Sequence, residues 1–171
     1  MIITSIQDIS RRQVFSFFDC GNNDLNIFFK KYAYVNDSTG ISKTFICLDD
    51  DKKNIIGYYT LCASSIINAD LPDNIKNTLP KYPCPCATIA RLAVDVNYQK
   101  QQYGKELLKD AMKRIILASQ SIGIHMIKVD AKPESKSFYL HYGFVEAKPN
   151  SSLLFLPIKT IIEAIDNSKN Q

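Results

Sequence analysis

Along this chain the apolar positions switch between two periods, and the switches divide it into elements. Between Asn22 and Tyr34, Leu25, Phe28, Phe29 and Tyr32 recur at helical spacing, and the pattern runs out near Gly40. From Gly104 to Ser121, Leu107, Leu108, Ala111, Met112, Ile115 and Ile116 share one face, which predicts the best amphipathic helix, closed by Gly123. Pro133 to His141 predicts a short helix with its proline in the first turn. Strands are expected over Met1 to Ile6, Ser42 to Leu48, Asn54 to Ile67, Ala87 to Val96, Ile124 to Val129, Gly143 to Ala147 and Leu153 to Pro157. Asp8 and Ser10 mark a polar helix start, and Asp49-Asp50-Asp51-Lys52-Lys53 the polar connection of a hairpin. The stretch from Asp70 to Cys86, with Pro72, Pro80, Pro83 and Pro85, reads as loop holding one helical turn about Ile75.

Strands pair as a meander in the first half and alternate with helices in the second. The expected fold class is therefore α/β, with a mixed, mostly antiparallel sheet and helices on both faces. At 171 residues and 19.4 kDa the chain fits one domain spanning 1–171, large enough to bury roughly two-thirds of its unfolded surface. Apolar residues at 46% and charged ones at 22% leave no segment biased enough to be a linker, and no internal repeat is evident. The first residues carry no basic cluster ahead of an apolar core, and no apolar run is long enough to span a bilayer. A cytoplasmic protein with no membrane partner is expected.

Cysteine usage agrees with a reducing compartment. Cys20, Cys47, Cys62, Cys84 and Cys86 make an odd number in a domain that does not need staples. Cys84-Pro85-Cys86 has metal-like spacing, but a zinc site needs about four ligands, and His125 and His141 stand apart. Buried or surface thiols are expected and no metal. A formal charge of +4 and a pI near 8.7 permit a polyanionic partner without demanding one.

The chemistry concentrates between Ala90 and Gly104. Arg91-Leu92-Ala93-Val94 is a strand that feeds a short polar turn, Gln99-Lys100-Gln101-Gln102-Tyr103-Gly104, which opens the main helix. The first turn of a helix leaves N–H groups without partners at the positive end of its dipole, so a phosphate or pyrophosphate is held there. A nucleotide-like cofactor follows. Lys105, Lys109 and Lys113 line one stripe of that helix beside Glu106, Asp110 and Arg114, ordinarily a solvated face, although Lys105 stands close enough to the helix start to meet a phosphate.

This succession, continued by Ser137-Phe138-Tyr139-Leu140-His141-Tyr142-Gly143-Phe144, resembles the GNAT family of acetyl-CoA-dependent N-acetyltransferases over nearly the whole chain. Phe18-Asp19-Cys20-Gly21 with Leu25 and Phe28-Phe29, Gly40-Ile41-Ser42-Lys43-Thr44, Gly57-Tyr58-Tyr59-Thr60-Leu61 with Ser64-Ser65-Ile66, and Leu154-Phe155-Leu156-Pro157 are similar to the toxin branch of type II toxin-antitoxin modules. The resemblance implies the acyl-CoA N-acyltransferase fold, acetyl-CoA as co-substrate, and acetylation of the α-amino group of aminoacyl-tRNA, which blocks translation. It also implies a ribbon-helix-helix antitoxin as partner and a homodimer. Carried over residue by residue, Leu92, Ala93 and Val94 hold the pantetheine arm and polarise the thioester carbonyl, as an oxyanion hole would. Gln99, Lys100, Gln101, Gln102, Tyr103, Gly104 and Lys105 hold the pyrophosphate, and Tyr139 is the acid facing the departing thiolate.

Two departures from the family pattern bear on the reaction. Gln102 stands where the family has its first glycine, so either its side chain hinders a left-handed backbone and close approach of phosphate, or its donor serves from an ordinary conformation. No Asp, Glu or His announces itself as general base. An α-amino group near 7.7 to 8.0, lowered further when the adjacent carboxyl is esterified, needs less help than a lysine near 10.4, which favours an aminoacyl substrate. Lys76, Lys81, Arg91, Lys100, Lys148 and Lys159 are the candidates for contact with the tRNA backbone. Two other readings are an acetyltransferase of a protein N-terminus, polyamine or small amine, and a non-catalytic acyl-CoA-binding module, the latter suggested by Gln102.

Overall fold

The computed structural model describes residues 1–9, 17–51, 53–79 and 81–169, the side chains of 168 and 169 excepted. Ser10, Lys52 and Pro80, on which parts of the helix-start, hairpin and loop expectations fall, lie outside the described residues. Seven strands hydrogen-bond in the order β1-β2-β3-β4-β5-β7-β6. They are β1 (Ile2–Ser5), β2 (Lys43–Leu48), β3 (Ile55–Ile66), β4 (Cys84–Val94), β5 (Met126–Asp130), β6 (Val145–Glu146) and β7 (Leu153–Pro157). β1, β2 and β3 form an antiparallel meander, whereas β4 and β5 run parallel and β7 pairs antiparallel with both β5 and β6. The mixed α/β sheet is thus as the periodicity implies.

The helices are α1 (Asn23–Ile27) and α2 (Ala33–Ser38), joined by a π-helical turn at Phe28–Tyr32, then α3 (Asp73–Lys76), α4 (Tyr103–Ser119), α5 (Pro133–His141) and α6 (Ile158–Lys169). Packing divides the chain into two units, Met1–Cys62 with Ile89–Lys113, and Ala63–Thr88 with Arg114–Gln171. The core of the first unit gathers Ile6, Phe18, Phe28, Phe29, Ala33, Ile46, Leu48, Ile55, Tyr58 and Ala93. Tyr58 stacks on Phe29 at 4.5 Å between centroids, and its hydroxyl donates to the Leu25 carbonyl at 2.9 Å, so the ring is buried without an orphaned hydroxyl. The second unit is built on Ile66, Leu71, Cys84, Cys86, Met126, Ala147 and Phe155.

Three local expectations are corrected, and one helix is found where none was expected. β4 begins at Cys84, ahead of the expected Ala87, because prolines bar only donation: the Pro85 carbonyl accepts from His125 N at 2.9 Å, and the ring is exposed. The main helix ends at Ser119, and Gly123 does not cap it, since its φ is not positive. The single helix expected from Asn22 carries a π-turn that a 3.6-residue period does not reveal. Beyond Pro157 the chain continues as α6, with Ile158, Ile161, Ile162 and Ile165 at i, i+3, i+4 and i+7.

All five cysteines are free thiols, with Cys47, Cys84 and Cys86 buried. Burial pushes the Cys86 thiol up to about 12 and raises Cys84 as well, so both behave as inert core residues rather than nucleophiles. Among the described residues no group of three or more His, Cys, Asp or Glu side chains is disposed to hold a metal. No described helix is long and apolar enough to cross a membrane.

Candidate active site

Within the first unit, Leu92, Ala93 and Val94 are the last three residues of β4, and Gln99 to Lys105 form the loop and the first turn of α4. The ladder between β4 and β5 comprises Cys86–Met126, Ala87–Ile127 and Thr88–Lys128. Leu92, Ala93 and Val94 lie several residues past its last rung, so their backbone groups are outside that ladder.

Asp95, which the motif reading passes over, joins the strand to the loop. Its carboxylate is buried and accepts from Asp19 N, Asn97 N and Asn97 Nδ2, each at 2.9 Å, while its own N–H donates to the Ile56 carbonyl at 2.9 Å. Val96 N donates to the Asp19 carbonyl at 2.8 Å. A buried carboxylate is tolerated only when its lone pairs are occupied, and here each bond also fixes a turn of the connection. The signal was available in Asp95-Val96-Asn97, an Asx-turn pattern.

Gln99 serves this scaffold too. Its side-chain amide donates to the carbonyls of Val94 at 3.0 Å and Cys20 at 3.1 Å, and Gln101 Nε2 donates to Asn97 at 3.1 Å. These amides brace the loop from behind, leaving the backbone for a ligand. Lys100 and Gln102 both take left-handed φ, 62° and 66°. Of the two alternatives for Gln102, the backbone therefore follows the path a glycine would take, with an exposed side chain. Alternating left-handed residues curl successive N–H groups toward one side, the geometry of an anion nest. Among the described residues none accepts from the N–H groups of Gln102, Tyr103, Gly104 or Lys105, while Glu106 N closes the first turn onto the Gln102 carbonyl at 3.3 Å. Four unpaired donors at the head of a 17-residue helix are the arrangement an anion would need. The Lys100 and Lys105 ammonium groups form no ion pair among the described residues, whereas Lys109 pairs with Glu106 at 3.1 Å.

A non-glycine residue in the left-handed region costs about 1–2 kcal/mol, part of which glycine returns as chain freedom. Gln102→Gly is therefore expected to stabilise the protein by about 0.5–1 kcal/mol, raising Tm by about 2 °C with acetyl-CoA affinity within about threefold. Thermal unfolding and titration calorimetry read both, and a lower Tm would show that the glutamine side chain is structural.

Two glycines shape the surroundings. Gly57, in β3, lies so near β4 that a Cβ would stand 2.6 Å from the Ala93 carbonyl oxygen, 2.8 Å from Leu107 Cδ1 and 3.3 Å from Val94 Cα. Gly143, at φ 88°, lets the chain leave α5 with its N–H on the Leu140 carbonyl.

Tyr139 lies in the second unit, on α5, 5% exposed and ringed edge-on by Phe138 and Phe144 at 5.2 and 5.5 Å. No described residue hydrogen-bonds its hydroxyl, and desolvation pushes its pKa up to about 12. A phenol so placed keeps its hydrogen at neutral pH and has it to donate. The neighbouring aromatics pack the helix end: Phe144 is buried, and Phe138 and Tyr142 are half-buried.

The remaining cations differ in their engagement. Lys76 pairs with Asp73 at 2.6 Å, Lys148 with Asp70 at 3.0 Å and Lys159 with Glu163 at 3.7 Å, all within the second unit, where Lys81 is exposed. Arg91 is half-buried with its guanidinium 3.6 Å from the centroid of Phe28. His125 and His141 are both exposed.

Comparison with known proteins adds to this geometry. The model of the Acetyltransferase (GNAT) domain matches residues 75–153. A protein of Mycobacterium tuberculosis described as a tRNA-acetylating toxin is 34% identical over 137 residues, 80% of each chain. The probable toxin TacT of Sinorhizobium fredii is 32% identical over 163 residues, 90% of each. Among solved structures, a Tyr-to-Phe mutant of KacT superposes with TM-score 0.89 at 31% identity, covering 95% of this chain and 98% of the other. AtaT complexed with acetyl-methionyl-tRNAfMet gives 0.87 at 30%, covering 96% and 98%. A Tyr-to-Phe mutant of AtaT, bound to the C-terminus of the antitoxin AtaR and acetyl-CoA, gives 0.78 at 27%, covering 96% and 97%.

Proposed function

The chain belongs to the GNAT acetyltransferases, in their tRNA-acetylating toxin branch, and on that premise we propose that it acetylates the α-amino group of aminoacyl-tRNA, with acetyl-CoA as donor, and so blocks translation. The observation that carries the reading is the run of unpaired N–H groups at Gln102, Tyr103, Gly104 and Lys105, at the loop position where the family holds the diphosphate of coenzyme A. In the proposed reaction the neutral amine nitrogen attacks the thioester carbonyl. The C–N bond forms, the C–S bond breaks, and backbone donors of Leu92 to Val94 stabilise the oxyanion. Tyr139 offers its hydroxyl hydrogen to the developing thiolate. A phenol near 12 is a weaker acid than a thiol near 8.5, so it holds the thiolate by a hydrogen bond while the proton released by the amine neutralises the sulfur.

The pH profile follows. Acetyl transfer is expected to rise about tenfold per pH unit below the substrate amine pKa, which lies at or under about 8, and then stay level to about pH 10. Single-turnover rates across pH 5–10 measure it. A falling limb near pH 9 would mean an essential acid of ordinary pKa, incompatible with Tyr139 as the donor.

The proposal extends to one N-acetyltransferase domain spanning 1–171, a homodimer, a ribbon-helix-helix antitoxin and a cytoplasmic setting. The 90% coverage of the probable toxin TacT supports the first, and the AtaT structure with the antitoxin AtaR supports an antitoxin partner. The direct test incubates the purified protein with acetyl-CoA and a panel of charged tRNAs, free amines, polyamines and N-terminal peptides, followed by mass spectrometry. Acetylated aminoacyl-tRNA is the expected product. Turnover of free amines or peptides alone would select the general acetyltransferase reading, and tight acetyl-CoA binding without turnover the binding module.

A further inference from the structure

Arg91 is the one residue of the reactive strand whose charge the fold leaves unexplained. It precedes Leu92 in β4, it is half-buried, and no described carboxylate stands within ion-pair distance of it. Its guanidinium lies 3.6 Å from the centroid of Phe28, in the π-turn between α1 and α2. A partly desolvated cation without a counter-ion is costly, and stacking on an aromatic face offsets only part of that. The stacking also fixes the direction in which the planar fork points, and such a fork matches a phosphate bidentately.

The face of the sheet distinguishes which anion. Side chains alternate along strands, and Ala93, two residues on from Arg91, belongs to the core that holds Phe28 and Tyr58. Tyr58 reaches the Leu25 carbonyl of α1, whereas its neighbour Tyr59 hydrogen-bonds Asp110 of α4. Arg91 therefore stands on the α1 side of the first unit. The unpaired N–H groups belong to α4, which packs on the other face, where Leu107 meets Gly57. The diphosphate of the co-substrate has its own donors there.

Resting on the reading of this chain as an aminoacyl-tRNA acetyltransferase, we propose that the Phe28-stacked guanidinium of Arg91 binds a backbone phosphate of the tRNA acceptor end, next to the aminoacylated nucleotide. Two strand residues span about 6.6 Å, so Arg91 and the carbonyl-polarising Ala93 are separated by about one nucleotide. Arg91 is thus a substrate-positioning residue, one that sets register without reading sequence.

Arg91→Met, which keeps the apolar stem over Phe28, and Arg91→Lys, which keeps the charge without the fork, test this. Each is examined by binding of uncharged tRNA through fluorescence anisotropy over a salt series, by KM and kcat on charged tRNA, and by acetyl-CoA calorimetry. Arg91→Met is expected to weaken tRNA binding about tenfold, to flatten the log–log salt slope by about one, and to raise KM with kcat and acetyl-CoA affinity within about twofold. Arg91→Lys should recover the slope but only part of the affinity. A folded Arg91→Met protein with unchanged tRNA binding would overturn the proposal, as would a tenfold loss of acetyl-CoA affinity at an unchanged salt slope. Because anisotropy needs no chemistry, the two readings fail separately: a wild-type chain that binds tRNA through Arg91 yet acetylates none refutes the activity alone.

Discussion

Tyr139→Phe is expected to lower kcat on aminoacyl-tRNA by about 100-fold or more, within the range for loss of a positioned proton or hydrogen-bond donor, while Tm and acetyl-CoA affinity stay put. The ring is 5% exposed and packs edge-on against Phe138 and Phe144, contacts a phenylalanine retains. The hydroxyl has no hydrogen-bonding partner among the described residues, so its removal breaks no bond of the fold. Quenched-flow turnover with saturating acetyl-CoA, beside a thermal melt, separates the two effects. A kcat within threefold of wild type would remove Tyr139 from the chemistry.

Gly57→Ala should be the most damaging single methyl in the first unit, lowering stability by about 3 kcal/mol, the upper end for an overpacked core, and Tm by about 6–12 °C. The added carbon would stand 2.6 Å from the Ala93 carbonyl oxygen, a backbone atom without a rotamer into which to retreat. Leu107, fully buried at the base of α4, closes the other side at 2.8 Å. Relief therefore requires β4 to move at Ala93 and Val94. Acetyl-CoA affinity is expected to fall with stability, by about tenfold or more. Circular-dichroism melts and calorimetry measure the pair, and a Tm within 2 °C of wild type would show that β3 and β4 separate at little cost. Gly57→Ser, with a larger group, should be worse.

How much of this was legible beforehand depends on the range of the interaction. The loop and α4 were, because a strand ending at a helix start is a local pattern and an unpaired first turn is a property of every helix. Tyr139 was singled out only through the resemblance of its motif, since nothing local separates it from Phe138 and Tyr142. Gln102 shows the limit of reading glycine patterns: the loop takes φ 66° there without a glycine, because Asp95, Gln99 and Gln101 brace the connection from behind. Gly57 entered only as part of a motif, and Arg91 only as one of six cations that could touch the tRNA backbone, with nothing to rank it. Both acquire their meaning from a second segment, Ala93 in one case and Phe28 in the other.

The sequence by itself determined the order of strands and helices up to Pro157, the turn that joins β4 to α4, the free thiols and the family of the chain. These rest on periodicity, short-range backbone geometry and motifs, which neighbouring residues carry together. Only the tertiary structure decided that β4 starts at Cys84, that a π-turn sets Phe28 beneath Arg91, that the Asp95 carboxylate ties strand to loop, and that burial raises the Tyr139 phenol above its ordinary value. Each of those depends on distance and burial between segments far apart in the chain, and burial is what changes the cost of a charge or an unpaired hydroxyl.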